Sequence, residues 1–477
     1  MIELSSNITN YLRTIFGDEY VKHYIEYYKS EYKPYLRFST FVDSAKLINS
    51  LERYGIVLSV VPSVNNAYRI ISGSEFAGKT LEFILGKYYI QSLSSMIPAL
   101  VLNPTENDRV LDLCAAPGSK TTQLAEMMKN KGTLIANEIA MERLKSLVFN
   151  IDKMNLVNVG VMHGKGELLS KQFENYFDKI LVDAPCSALG IVQKKGEVSN
   201  WWDVRKAETI SDLQLRLLIA AIKMCKVGGE IVYSTCTLTL EENELVIDKI
   251  LRKYPVELEE IKLPIQSHPG FSKIDGQDVS IHLNKTCRIL PWEVESEGFF
   301  VCKLKKNDST ASKESHLRKD EKSEMLSSSS GKMKNYLEGL SNHFGISKAK
   351  FDEFIYFFKS NDLHFVTESW GCDRHESFNR IGSRLGTIDR KGIVNLNSLA
   401  ALVLGNSITK NILHLENRNE LEIYFRGGTI KKNFESAGQK VVKYGENLLG
   451  TGITTNEGLK SQFPRAFRTQ EIILPPE

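Results

Sequence analysis

The sequence predicts an α/β protein whose centre is a mostly parallel sheet covered by helices on both faces. Short buried apolar runs alternate with helical patterns between residues 76 and 305, and glycine turns separate them. The segments on either side have a different character. Residues 1–75 read as a small α+β module, and residues beyond about 386 become strand-rich with regular glycines.

In the N-terminal module, Ser39–Val42 reads as a strand, Ser44–Tyr54 as a helix stopped by Gly55, and Ile56–Val61 as a strand ended by Pro62. In the central region, Val110–Leu113 predicts a buried strand, followed by a tight turn and a helix over Lys120–Lys129. Strands are expected at Thr133–Ala136, Val157–Met162, Ile180–Val182 and Gly229–Ser234, with a helix over Met141–Met154. Phe299–Leu304 is expected to close the sheet as an edge strand. Lys, Asp, Ser and Glu dominate from 306 to about 335, the composition of a solvated linker. Within the C-terminal region, 336–477, a helix is expected over Tyr336–Phe358, and Gly427, Gly428, Gly438, Gly445, Gly450 and Gly452 punctuate short apolar runs as in a small β-barrel.

Composition narrows the class without naming the partner. A net charge of +3, from 61 basic and 58 acidic residues, is too small to point to nucleic acid. No apolar stretch approaches the ~20 residues of a membrane helix, and Met1–Ser5 does not begin a signal peptide, so the cytoplasm is expected, with no membrane partner. The seven cysteines, Cys114, Cys186, Cys225, Cys236, Cys287, Cys302 and Cys372, contain no CxxC pair. Neither a disulfide framework nor a metal site is expected, which leaves free thiols.

The chemistry concentrates at strand ends. Asp112-Leu113-Cys114-Ala115-Ala116-Pro117-Gly118-Ser119-Lys120 joins a strand to a helix, where small residues let backbone amides approach a ligand and the helix start favours an anionic group. A plain structural turn or a nucleotide site is the alternative, but the spacings of GxGxxG and of the phosphate loop are absent. Glu138 ends the next strand, placed to accept ribose hydroxyls or to lie in solvent. Asp183-Ala184-Pro185-Cys186-Ser187 and Ser234-Thr235-Cys236 each follow a buried strand, which directs both cysteines to one cleft. Cys225, Cys287, Cys302 and Cys372 read as buried small hydrophobes. Trp201 and Trp202 suit a substrate channel or a packed core equally.

Together with Gly86–Gln91, Glu241-Glu242-Asn243-Glu244 and Gly298-Phe299-Phe300, these motifs make residues 80–305 resemble the Sun-type family of RNA 5-methylcytosine methyltransferases. The resemblance implies a Rossmann-like class I methyltransferase sheet that binds S-adenosylmethionine. It implies cofactor contacts from Cys114 to Lys120 and from Glu138, Arg143 and Asp183. It also implies that Cys236 is the nucleophile and that Cys186 assists product release as acid or base. The chemistry is coherent with that reading. Thiolate addition at carbon 6 of cytosine makes carbon 5 reactive, Asp183 suits ring nitrogen 3, and Lys120 is suited to favour the Cys236 thiolate.

Three positions depart from the family's pattern: Ser119 for a glycine, Ala188 for a glycine after Cys186-Ser187, and Gly164 where an acid contacting adenine is expected. Gly445–Gly452 and Gly458–Arg465 resemble the PUA-like domain of bacterial members acting on ribosomal RNA. There Arg426, Lys431, Lys432, Lys443, Lys460, Arg465 and Arg468 are candidates for phosphate contacts or for ordinary solvated surface. Residues 1–75 resemble an RNA-binding extension. The expected partner is RNA, ribosomal before transfer RNA, with the protein acting as a monomer. An RNA-binding ribosome assembly factor with weak or no catalysis, and a DNA cytosine methyltransferase using Cys186 as nucleophile, are the competing readings.

Overall fold

In the computed structural model the described residues are 4–274, 277–310, 324–434, 436–468 and 471–474. Six strands carry the functional end of the molecule: β1 (Arg109–Asp112), β2 (Thr133–Glu138), β3 (Val159–His163), β4 (Phe177–Asp183), β5 (Cys225–Thr235) and β6 (Phe299–Lys306). They lie in the order β6-β5-β4-β1-β2-β3 within a ten-stranded sheet. β1 to β5 run parallel, and β6 pairs antiparallel with β5. The chain runs outward from β1 to β3 and then returns to β4 on the other side of β1, so the carboxyl ends of β1 and β4 border a crevice.

Alternate residues face opposite sides, and both faces are covered. Leu111, Ile135, Ile180, Val182, Ile231 and Tyr233 pack on one side with Leu217, Leu218 and Ala221 of a long helix, Val204–Met224. Val110, Leu134, Ala136, Leu181 and Val232 pack on the other with α1 (Leu93–Leu102), α2 (Ser119–Met127) and α3 (Met141–Lys153).

The sheet is wider than the sequence suggests. β6 is an inner strand, because Cys287–Ile289 and Val256–Glu259 pair with it from the outer side. At the opposite edge, Arg380–Ile381 of the C-terminal region pairs antiparallel with β3. Gly160 in β3 makes this docking possible, since a Cβ there would stand 2.6 Å from Trp370 and 2.7 Å from Phe378.

Two helices, Ser6–Phe16 and Asp18–Lys29, begin the chain, and a four-stranded sheet follows in the order Val57–Val60, Ala67–Ser72, Tyr35–Phe38, Tyr88–Ile90. The expected strand Ser39–Val42 is a turn instead. The strand lies at Tyr35–Phe38, whose side chains are buried, while Phe41 is exposed and Asp43 caps the next helix by accepting from the Ala45 and Lys46 amides. Because Tyr88–Ile90 belongs to this sheet, the module reaches past the 75/76 boundary read from the sequence. Gly86, just before Tyr88–Ile90, lies against the end of α3: its φ is +70°, and a Cβ would lie 1.9 Å from the Lys153 carbonyl.

Residues 311–323 of the expected linker lie outside the described residues, and its remainder is structured. Leu326–Ser327 pairs with Phe354–Lys359, and a helix spans Gly331–Phe344. The single helix expected over Tyr336–Phe358 ends at Gly345 in the left-handed region. Phe354–Lys359 becomes a strand, with burial alternating along its first residues. Apart from Arg380–Ile381, the strands beyond it divide between two five-stranded sheets, 326–396 and 412–461, and the glycines 427–452 fall in the second. Among the described residues no helix is long and apolar enough to cross a membrane.

Candidate active site

A cleft of about 320 Å³ opens at the carboxyl ends of β1, β4 and β5. Its walls include Asp112, Cys114 to Pro117, Ser119, Lys120, Asp183 and Cys236, so most of the residues singled out from the sequence converge there. The register explains why. Asp112 stands opposite Leu181, and Asp183 opposite Ser234, which brings the three strand ends to one level.

The turn after β1 is held from below. The Ala115 amide donates to the Asn137 carbonyl at 2.8 Å, and Thr121 donates its hydroxyl to one oxygen of Asp112 at 2.7 Å. The other Asp112 oxygen is buried without a partner beside the cleft. Burial pushes the Asp112 carboxyl up to about 7, with Asp183 adding to the effect. Gly118, at φ +108°, turns the chain into α2, whose first residues, Ser119 and Lys120, line the cleft and whose start has no side-chain cap. The small side chains, the open helix start and the unpartnered acid suit a ligand carrying both a carboxylate and a cationic group.

Lys120, on the first turn of α2, is 7% exposed. Its ammonium pairs with Asp183 at 2.7 Å and donates to the Ser95 hydroxyl at 3.1 Å. Burial opposes the charge, but Asp183, Cys236 and Asp112 together hold the Lys120 proton more firmly than usual. Asp183 also accepts from the Ser234 hydroxyl at 2.8 Å.

The sulfur atoms of Cys186 and Cys236 lie 3.1 Å apart. The contact with Cys236 and burial push the Cys186 thiol well up, which keeps Cys186 protonated. Burial likewise pushes Cys114 well up and keeps it neutral. Cys225, Cys287, Cys302 and Cys372 are buried, as expected of small hydrophobes.

Glu138 and Arg143 do not line this cleft. The Glu138 carboxylate is 2% exposed, accepts from the Ala140 amide at 2.9 Å and stands 3.5 Å from Arg143, which also donates to the Ala116 carbonyl. Gly164 follows β3, and its carbonyl accepts from the Asn137 amide group at 3.1 Å. Trp202 belongs to the core: it is 2% exposed and donates Nε1 to the Ser187 hydroxyl at 3.1 Å, while Trp201 is half-exposed.

The sequence did not mark Ser92, Ser95, Lys194 or Glu297 as cleft residues. They come from the start of α1 and from loops after β4 and before β6, where hydrophobic periodicity carries no signal. In the C-terminal region, Lys432 pairs with Glu416 at 2.6 Å, and Arg468 donates to the Phe463 carbonyl, whereas Arg426, Lys431, Lys460 and Arg465 are exposed.

The family described as 16S rRNA methyltransferase RsmB/F matches residues 99–305. Ribosomal RNA small subunit methyltransferase F of Shewanella piezotolerans is 31% identical over 461 residues, spanning 95% of this chain and 94% of that protein. The tRNA (cytosine(49)-C(5))-methyltransferase of Pyrococcus abyssi is 36% identical over 275 residues, covering 57% of this chain and 88% of its own. Among solved structures, a methyltransferase homologue from Pyrococcus horikoshii is 30% identical with a TM-score of 0.56, covering 62% of this chain and 93% of that one.

Proposed function

The chain belongs to the 16S rRNA methyltransferase RsmB/F family, and from that premise we propose that it methylates carbon 5 of a cytosine in RNA through a covalent bond to Cys236. The observation that carries the proposal is the pair of thiols 3.1 Å apart, of which Cys236 lines the cleft beside the Lys120–Asp183 ion pair while Cys186 stands behind it. Ribosomal RNA is favoured as substrate, because the relative that spans 95% of the chain is named for it. The PUA-like reading of the C-terminal region, with Arg426, Lys431, Lys460 and Arg465 exposed for phosphate contact, and an RNA-binding role for the N-terminal module belong to the same proposal.

S-adenosylmethionine, held by Cys114 to Lys120 with Asp183, supplies a sulfonium methyl group when bound. The unpartnered Asp112 oxygen and the open start of α2 fit such a zwitterionic ligand. Glu138 and Arg143 stand at the end of β2 and the start of α3, and Glu138 is the proposed acceptor for the ribose hydroxyls.

The target cytosine must leave any stacked helix to enter the cleft. Cys236 then adds its sulfur to carbon 6, and the electron pair of the 5,6 double bond makes carbon 5 nucleophilic. A proton shared between Asp183 and ring nitrogen 3 stabilises the charge that develops on the ring, and the Lys120 ammonium keeps that carboxyl in place. Once carbon 5 carries the methyl group, its proton is lost to solvent. The double bond re-forms and the bond from carbon 6 to sulfur breaks, leaving the electron pair on Cys236. Cys186 assists by handing a hydrogen bond to the departing sulfur.

Labelled S-adenosylmethionine incubated with total RNA from cells lacking the gene tests this reading. Methyl incorporation that disappears in Cys236→Ala supports it, and bisulfite mapping then locates the cytosine. RNA binding without incorporation by the wild type would instead make the chain an assembly factor. Adduct formation that requires Cys186 and survives Cys236→Ala would reverse the roles of the two thiols, as in the DNA cytosine enzymes.

A further inference from the structure

Glu242 touches neither the cleft nor either thiol, yet the segments that carry both cysteines meet at its carboxylate. The side chain is fully buried. One oxygen accepts from the Ser187 amide at 2.8 Å and from Gln214 at 3.0 Å. The other accepts from the Ser187 hydroxyl and from Thr239 at 2.8 Å. Gln214 spends its second N–H on the Pro185 carbonyl at 2.8 Å. The Ser187 oxygen in turn accepts from Trp202 and lies 3.0 Å from the Thr237 hydroxyl. Pro185 and Ser187 flank Cys186, while Thr237 and Thr239 follow Cys236, so a single acid ties the two cysteine segments together.

A buried carboxylate is costly unless its donors are all supplied. Here four donors supply it, although burial still raises its pKa. An acid kept only to fill space would not need bonds to both segments. We propose that Glu242 is a positioning residue that sets the Cys186 thiol against Cys236 and thereby controls how fast methylated RNA is released. This rests on the reading of Cys236 as nucleophile and Cys186 as release group.

The role concerns geometry rather than charge, which makes the substitutions informative. In Glu242→Gln the amide oxygen still accepts from the Ser187 amide and Gln214, and its NH2 donates to the Ser187 and Thr239 hydroxyls, both of which can turn round to accept. Glu242→Leu removes every tie, and Ser187→Ala removes one of the four donors to Glu242 together with the partner of the Trp202 Nε1–H and the Thr237 hydroxyl.

The test measures single-turnover methyl incorporation and the slow-migrating protein–RNA adduct on a denaturing gel, with total RNA from a strain lacking the gene. The expected result is adduct accumulation in Glu242→Leu, as in Cys186→Ala, with release slowed about ten-fold or more and the first methyl transfer retained. Ser187→Ala should show a smaller slowing, and Glu242→Gln should release within about three-fold of the wild type. If Glu242→Leu does not fold, Ser187→Ala and Gln214→Leu decide the matter. Wild-type release in these variants while Cys186→Ala traps RNA overturns the positioning role alone. No adduct with Cys186→Ala on RNA that the wild type methylates overturns the reading of the cysteine pair and this inference with it.

Discussion

Arg288→Met tests whether the turn that follows Cys236 depends on one buried ion pair. Arg288 keeps 3% side-chain exposure and Glu244 none. The guanidinium donates to one Glu244 oxygen at 2.6 Å, to the other through a second N–H, and to the Leu238 carbonyl at 2.9 Å. Methionine fills most of the arginine's volume but strands the Glu244 carboxylate, at a cost of about 3–5 kcal/mol. The Leu238 carbonyl loses its donor as well, adding about 1 kcal/mol. Adding Glu244→Leu removes the stranded charge and leaves only the Leu238 carbonyl and the Phe271 amide without their partners. The double variant should therefore return to within about 2 kcal/mol of the wild type. With a urea m value of about 3 kcal/mol per molar, the single change lowers the midpoint by about 1–2 M and the double by less than about 0.7 M. Tryptophan fluorescence reads the transition, since Trp292 packs against Tyr20 at 4.6 Å in the same wall. An unmoved midpoint in Arg288→Met refutes the reasoning. So does a double variant no better than the single, because lost packing and not a stranded charge would then dominate.

Ala188 sits at φ +64°, where an L side chain is strained, so Ala188→Gly should raise the urea-unfolding free energy by about 1 kcal/mol despite the extra chain entropy. Burial pushes the Lys153 ammonium down to about 7, among the rings of Phe83, Tyr89 and Phe149. The native chain then binds fewer protons than the unfolded chain between pH ~7 and ~10.5, so wild-type stability rises with pH across that window, and Lys153→Met should flatten the rise in urea melts taken at several pH values. Gly160→Val would drive a side chain into Trp370 and Phe378, and limited proteolysis should show faster cleavage near 370–382 with about 1–3 kcal/mol lost in unfolding.

What the sequence revealed follows from what patterns encode. Runs such as Ile180–Val182 and Val232–Tyr233 are apolar because both faces of the sheet are covered, and they announce the strands and the polar residues at their tips. That is why Asp112, Cys114, Lys120, Asp183 and Cys236 could be named as neighbours before any fold was seen. Pairing partners are not encoded in this way. Nothing in Arg380–Ile381 signals that it would join β3 from a distant part of the chain, and nothing in Phe299–Lys306 signals two further strands outside it. The error at Tyr336–Phe358 arose where aromatic residues satisfy both a helical and an alternating period, and Gly345 decides between them.

The residues that hold the site rigid were the least legible, for a physical reason. Asn137 lies behind the turn that follows β1 and donates to the carbonyls of Leu113 and Gly164, joining the loops after β1 and β3. Glu242 does the same for the two cysteine segments. Both are buried polar side chains whose value lies in the backbone they bind, so their partners are set by tertiary approach rather than by spacing. At Gly164 the backbone carbonyl meets Asn137 where the family pattern would add a side-chain acid. Loss of the acid therefore removes a candidate ligand contact without loosening the loop. That separates two effects a substitution could have: Gly164→Asp should change affinity for S-adenosylmethionine in equilibrium binding while leaving the urea midpoint within about 0.3 M, because a Cβ there meets nothing closer than 3.6 Å. A large fall in the midpoint would show instead that the glycine is required by the loop itself.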